Sequence, residues 1–323
     1  VQLAGTKTIG NKMAKKQDDF DHKMKMDLKE ISDWIDKFDF QKEYTNNSLF
    51  MHTCMEYSNH LRRIAVYAIC TIPFHRAMSF AGYNREEATI VGNIVRAYKL
   101  YDTISYHVSK GHAEIVAIMT RLLLETGGKL LYLINSTDSS KRNYILVSHK
   151  PDTYQLKDLA EKAKKRKLTT IENRILEKIE RILEEDGLSK KDILNNKNWK
   201  LDGKSEEQLL SEIAYDYVYR SHSAHVHGTW LDLSIYHLKI DNGTYSPDLE
   251  YNTTNPGYIT FAAVMLIDFL IEFLKWNNGD PKGVFKGLLE KLRPIIMSID
   301  EKYEKYHHKK YLDFISKRKK TAS

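Results

Sequence analysis

Arg220, His222, His225 and His227 fall within one short stretch, Tyr215 to Trp230, which reads YDYVYRSHSAHVHGTW. A histidine that titrates near neutrality can give or take a proton, and an arginine can stabilise charge developing on a phosphate. Three imidazoles so close together also suit a metal such as zinc. A third reading is that the histidines pack and hydrogen-bond at a helix end without doing chemistry.

The element that must position these groups begins at Ser205. Ser205-Glu-Glu-Gln208 is a capping box, and Leu209, Leu210, Ile213, Ala214, Tyr217 and Val218 follow at helical spacing. At about 100° per residue, Arg220 lies about 20° from Ile213 and about 60° from Tyr217, on the apolar face, and so needs a partner. On an unbroken helix His227 returns to within about 20° of Arg220, whereas His225 points about 140° and His222 about 200° away. Arg220 and His227 therefore share a face, and the three histidines do not converge on a metal. Within the stretch no carboxylate at a familiar spacing completes a ligand set, so neither metal nor cofactor is expected. Gly228 is a natural helix stop.

The Arg220 pattern, with four residues before His225 or six before His227, resembles the signature of the HEPN superfamily (higher eukaryotes and prokaryotes nucleotide-binding). Arg121-Leu-Leu-Leu-Glu125 looks like the Arg-x-x-x-Glu helix of an uncharacterised bacterial HEPN-like branch. Tyr219, Ser223 and His227-Gly228 are similar to a later run in the same proteins. Many catalytic members carry Asn, Asp or His directly after the arginine, where this chain has Ser221. The resemblance covers about residues 50 to 275. It implies an all-α bundle and a metal-independent endoribonuclease acting as a toxin or in antiviral defence. Arg220 with His227 or His225 would be catalytic, supported by Arg121, Glu125, Tyr219, Ser221 and Ser223. It also implies RNA as a partner. One motif per chain implies a homodimer, or a partner protein, to complete a shared cleft. A catalytically inactive module for dimerisation or RNA binding is the alternative.

The 323 residues, 42% hydrophobic, suffice for a substantial core. A net charge of +7 is compatible with a polyanion without requiring one. Cys54 and Cys70 have no metal-finger spacing, which suits a reduced cytoplasmic protein. The apolar run Tyr258 to Leu274 contains Asp268 and Glu272 and is short and charged for a membrane span. No nucleotide-binding loop, nucleophile elbow or HExxH pattern occurs.

In chain order the pattern predicts a basic, ill-ordered arm over residues 1–20 and the first part of a bundle over 21–134. The first of its helices carries Met24, Leu28, Ile31, Trp34, Ile35 and Phe38. Helices then follow from Asn46, from Asn84 and from His112, the last carrying Arg121, Glu125 and the pair Gly127-Gly128, which suggests close helix approach. A charged helical insertion occupies 135–204, beginning as a loop over 135–142 and carrying an isoleucine stripe at 171, 175, 179 and 182. Its basic end, Lys162 to Lys167, is either an RNA contact or a solvated face. The motif-bearing part of the bundle is 205–276, with a turn at Asp241-Asn-Gly243 and Asp268 as a candidate partner for an arginine or histidine. Residues 277–323 form an amphipathic helix, then a mixed-charge helix with the basic tail Lys317 to Lys320.

Overall fold

The computed structural model describes residues 3–71, 82–210, 229–241, 244–251 and 254–321, and, within these, the side chains of residues 19–312 other than 206, 231, 240 and 241. The described residues are helical apart from one two-stranded hairpin, as expected of an all-α chain. They divide into two compact units. The first takes Val1–Met78, Ala97–Leu123 and His222–Ser323, and the second takes Ser79–Arg96 and Leu124–Ser221.

In the first unit, α1 (Leu3–Asp36) runs on in the N-terminal direction well past the stripe that begins near Asp21. A short link leads to α2 (Asn47–Ile69), which starts where expected because the Asn46 side chain accepts the Leu49 N–H at 3.0 Å. Two later helices complete the packing, α11 (Gly257–Asn277) and α12 (Val284–Thr321), and α2 lies against both. Phe50, Tyr57, Leu61 and Ile64 of α2 meet Leu266, Phe269 and Phe273 of α11 and Leu292 and Ile296 of α12 in a fully closed core. Each such side chain contributes roughly 1.5–3 kcal/mol by leaving water. Phe50 stacks on Tyr44 at 4.4 Å and meets the edge of Tyr303 at 5.0 Å.

Helix α11 is long and apolar enough, by length and composition, to cross a membrane, and it extends past Leu274 to Asn277. A little over half of its most apolar stretch is buried, and it packs against α2 and α12. Helix α12 is one continuous element with Pro294 in its interior, where two helices were expected. Mixed charge alone does not break a helix, and a proline removes a single backbone donor. The buried Cys54 thiol is pushed up to about 12 by desolvation, and both cysteines are free.

The middle of the chain begins with α3 (Arg85–Lys110), capped by reciprocal bonds between Asn84 and Glu87, and α4 (Ala113–Ile134). Both run through the divisions at residues 96/97 and 123/124. In the second unit follow α5 (Asp138–Ser148), α6 (Lys150–Lys165), α7 (Thr170–Glu185), α8 (Lys190–Asn195), a single 3-10 turn at Leu201–Gly203, and α9 (Glu206–Leu209). Helix α5 replaces the expected loop, because Thr137 caps it and Asp138 favours its positive end. The apolar face of α7 is set by Ile179 and Leu183, which pack with Leu156 of α6 and Ile193 of α8, while Ile171 is exposed. Helix α7 ends at Gly187, whose φ of +65° lets the Leu188 N–H reach the Leu183 carbonyl at 2.8 Å. Lys162, Lys164 and Arg166 pair with Asp158, Glu161 and Glu172, so this end of the basic run is largely self-neutralised.

One buried group in the first unit has a pH consequence. His60 stands 4.7 Å from the Trp34 ring with its Nδ1 buried and unbonded. Burial and then the Arg63 charge hold its pKa below the usual 6.5. Above that pH the group is neutral folded or unfolded. Below it the unfolded chain binds the proton first, so stability falls as pH drops from about 6.5 through the folded value. Denaturant titrations between about pH 7 and 5 should show this slope in the wild type and a shallower one in His60→Phe. An unchanged slope would place the acid sensitivity elsewhere.

Candidate functional site

Arg220, His222, His225 and His227, with Tyr219, Ser221 and Ser223, lie outside the described residues, as does most of the helix expected from Ser205. The elements on either side are described. Upstream, the Gln208 side chain accepts the Ser205 N–H at 2.8 Å, which is half of the expected capping box, and α9 opens there. Downstream, α10 (Trp230–Tyr236) begins just past His227 and Gly228. Strands β1 (Leu238–Asp241) and β2 (Thr244–Pro247) then pair antiparallel, Leu238 opposite Pro247 and Asp241 opposite Thr244, which is the hairpin that the Asp241-Asn-Gly243 sequence suggests.

Arg121 and Glu125 lie one turn apart on α4, half-buried beside the buried Leu123, Leu124 and Thr126. A side of one helix therefore carries the pair as its spacing implied. Three residues on, Gly128 lies tightly against Leu209 and Leu210, at the start of the chain leading to Arg220. A Cβ at Gly128 would stand 2.8 Å from Leu210 Cδ2 and 3.0 Å from the Leu209 carbonyl oxygen. The glycine pair thus has the reason its sequence suggested, close approach of backbone to helix. Asp268 of α11 finds an arginine, as proposed from sequence. Arg293 of α12 holds it through two bonds, 2.5 and 3.3 Å, at a partly exposed position.

A second constellation was not read from the sequence. Glu114 in the first turn of α4, Asp232 in α10 and His237 at its C-cap bring one ligand atom each to within 4.8 Å of one another. His237 Nε2 stands 3.4 Å from Glu114 Oε1 and 3.8 Å from Asp232 Oδ2. Asp232 is 3% exposed, whereas His237 and Glu114 border a cavity of ≈ 230 Å³ with Tyr236, Asp248, Glu250 and Tyr251. Burial first, then Tyr258 and the carboxylates of Asp232 and Glu114, pushes the Tyr236 hydroxyl up to about 12. Lys239 of β1 reaches Asp248 at 3.4 Å and Glu250 at 3.7 Å. Beside the cavity, the Nδ1 atoms of His107 and His112 are 2.8 Å apart, and the His112 ring packs on Tyr251. Burial, then His112, keeps the His107 pKa low.

The sequence expectation placed any metal at His222 to His227 and found no carboxylate to complete it. Asp232 and His237 do follow closely, but they straddle a helix end, and Glu114 is far upstream, so neither helical nor strand periodicity joins the three. A larger cavity, ≈ 810 Å³, runs along α1 and the start of α2 beside Asp27, Glu30 and Trp34. Arg63 occupies Asp27 and Glu30 there, so it offers less usable chemistry than the smaller one.

A family model described as a family of unknown function (DUF5677) matches residues 87–245. That stretch takes in the Arg121 helix, the whole Arg220 to His227 segment, and Glu114, Asp232 and His237. No curated protein and no solved structure matches the chain.

Proposed function

We propose that this chain is a metal-independent endoribonuclease of the HEPN type, in which Arg220 steadies charge on the scissile phosphate. His227, with His225 as the alternative, moves the proton between the 2′-hydroxyl or leaving group and solvent. The observation that carries this reading is the Arg220 to His227 spacing, two helical turns, in a segment that sets out from tight contact with α4 at Gly128. The Arg121 and Glu125 pair on α4 would serve as a polar brace. A role in a toxin or defence system follows from the same resemblance, and placement in the cytoplasm from the two cysteines without a metal or disulfide pattern.

One motif per chain lines half a cleft, so the active form is a homodimer or a complex with a partner protein that supplies the other half. Trp230, Leu233 and Ile235 of α10 and Tyr245 of β2 support this, since they leave apolar surface exposed immediately after the motif. Light scattering at micromolar concentration should give twice the chain mass, and a monomer without any partner would count against the shared cleft.

Ser221, in the position where many active members carry Asn, Asp or His, favours the second reading, an inactive module that binds RNA or dimerises. Labelled RNA incubated with purified protein in EDTA separates the two. Cleavage that disappears in Arg220→Ala supports the enzyme, and binding without cleavage supports the module.

A further inference from the structure

Glu114, Asp232 and His237 come from α4, α10 and the cap that leads into the hairpin, yet they face one point. An imidazole hydrogen-bonded to a carboxylate stands about 2.7–3.2 Å from it. The two separations here, 3.4 and 3.8 Å, are longer. The shorter matches the spacing of ligands around an ion and the longer slightly exceeds it. With metal bonds of about 2.0–2.2 Å, neighbouring donors of a tetrahedron are about 3.3–3.6 Å apart.

The charges agree with the spacing. Asp232 is buried and Glu114 is within 4.8 Å of it, so two carboxylates repel one another in a partly water-excluded place. A dication between the three groups would be held by both carboxylates and would use the His237 nitrogen as a ligand.

We propose that Glu114, Asp232 and His237 bind one divalent transition-metal ion, with zinc the best match, through two carboxylate oxygens and His237 Nε2, and with a fourth position open to the ≈ 230 Å³ cavity. Magnesium and calcium are poorer fits, since both prefer a larger set of oxygens. The ion would tie the first turn of α4 to α10. The site is separate from the ribonuclease reading, whose test runs in EDTA, so zinc binding and RNA cleavage can succeed or fail independently.

Calorimetric titration of Zn²⁺, with Mg²⁺ in a parallel arm, into full-length protein stripped with EDTA tests the site. The expected result is one Zn²⁺ per chain at micromolar affinity or better, little response to Mg²⁺, and a higher melting temperature with Zn²⁺. His237→Gln and Glu114→Gln, at partly exposed positions that tolerate an amide, should each weaken binding at least tenfold and remove the thermal shift. A variant with His222, His225 and His227 all replaced by alanine should bind as the wild type does. Absence of binding, binding unchanged in His237→Gln and Glu114→Gln, or binding lost in the triple variant would each overturn the assignment.

Discussion

Replacing His227 by alanine is expected to slow RNA cleavage by about 10² to 10⁴, the usual range for loss of a positioned acid or base, while leaving the fold intact. The expectation follows from helix geometry. On an unbroken helix His227 would return two turns beyond Arg220 to the same face, and Gly228 directly after it is a natural helix stop that would open the end to a phosphate. His222→Ala should change the rate little, because on an unbroken helix that ring would lie on the opposite side from Arg220. Single-turnover rates on one RNA, measured in EDTA, separate the cases. A large loss in His225→Ala alone would keep proton transfer but show that the helix ends early or kinks before His227. Equal rates in all three variants would dismiss this cluster as the proton carrier, whatever the fate of Arg220→Ala.

The largest effect on stability is expected at Gly128. An alanine there would gain up to about 1 kcal/mol of helix propensity in isolation. In place, its Cβ would press on Leu210 Cδ2, which can turn aside, and on the Leu209 carbonyl oxygen, which belongs to the backbone and must move as a whole. Valine adds two further methyl groups to the same crowded spot. Gly128→Val should therefore cost about 2–3 kcal/mol in denaturant unfolding, near the upper end of ordinary overpacking. It should also lower RNA cleavage per folded molecule, since the displaced backbone leads to Arg220. Wild-type stability in Gly128→Val would mean that the chain after Leu209 gives way easily and that α4 does not fix its course.

The fold was largely legible because the helix signals here are local and strong. Asn46, Asn84 and Ser205 are start signals, and capping bonds form at each of them. What misled was also local. Thr137-Asp-Ser-Ser140 reads as loop by composition, yet its first threonine is a cap and the rest make a first turn. The stripe of isoleucines in α7 pointed to Ile171, but the core of that unit takes Leu183 instead, because the partner helices α6 and α8 decide which side is covered. At the site the limit is different in kind. Arg220 and the histidines are neighbours in sequence and were found for that reason. Glu114 meets Asp232 and His237 through tertiary packing, so no spacing rule relates them.

The discontinuity of the first unit bears on how the chain is made. Its α2 face is covered by α11 and α12, and side chains near the two ends of the chain meet directly: Asn277 bonds the Thr71 carbonyl at 2.9 Å, and Lys302 reaches the carbonyls of Phe40 and Lys42. A ribosome adding about 5–20 residues per second needs on the order of 10–40 s to supply the roughly 200 residues between these partners. During that interval the second unit, most of which is one continuous stretch, can fold, whereas Phe50, Tyr57 and Leu61 still lack the helices that will enclose them. Synthesis therefore has a built-in waiting period in which the apolar side of α2 is open to chaperones or to wrong partners, and it ends when α11 and α12 emerge.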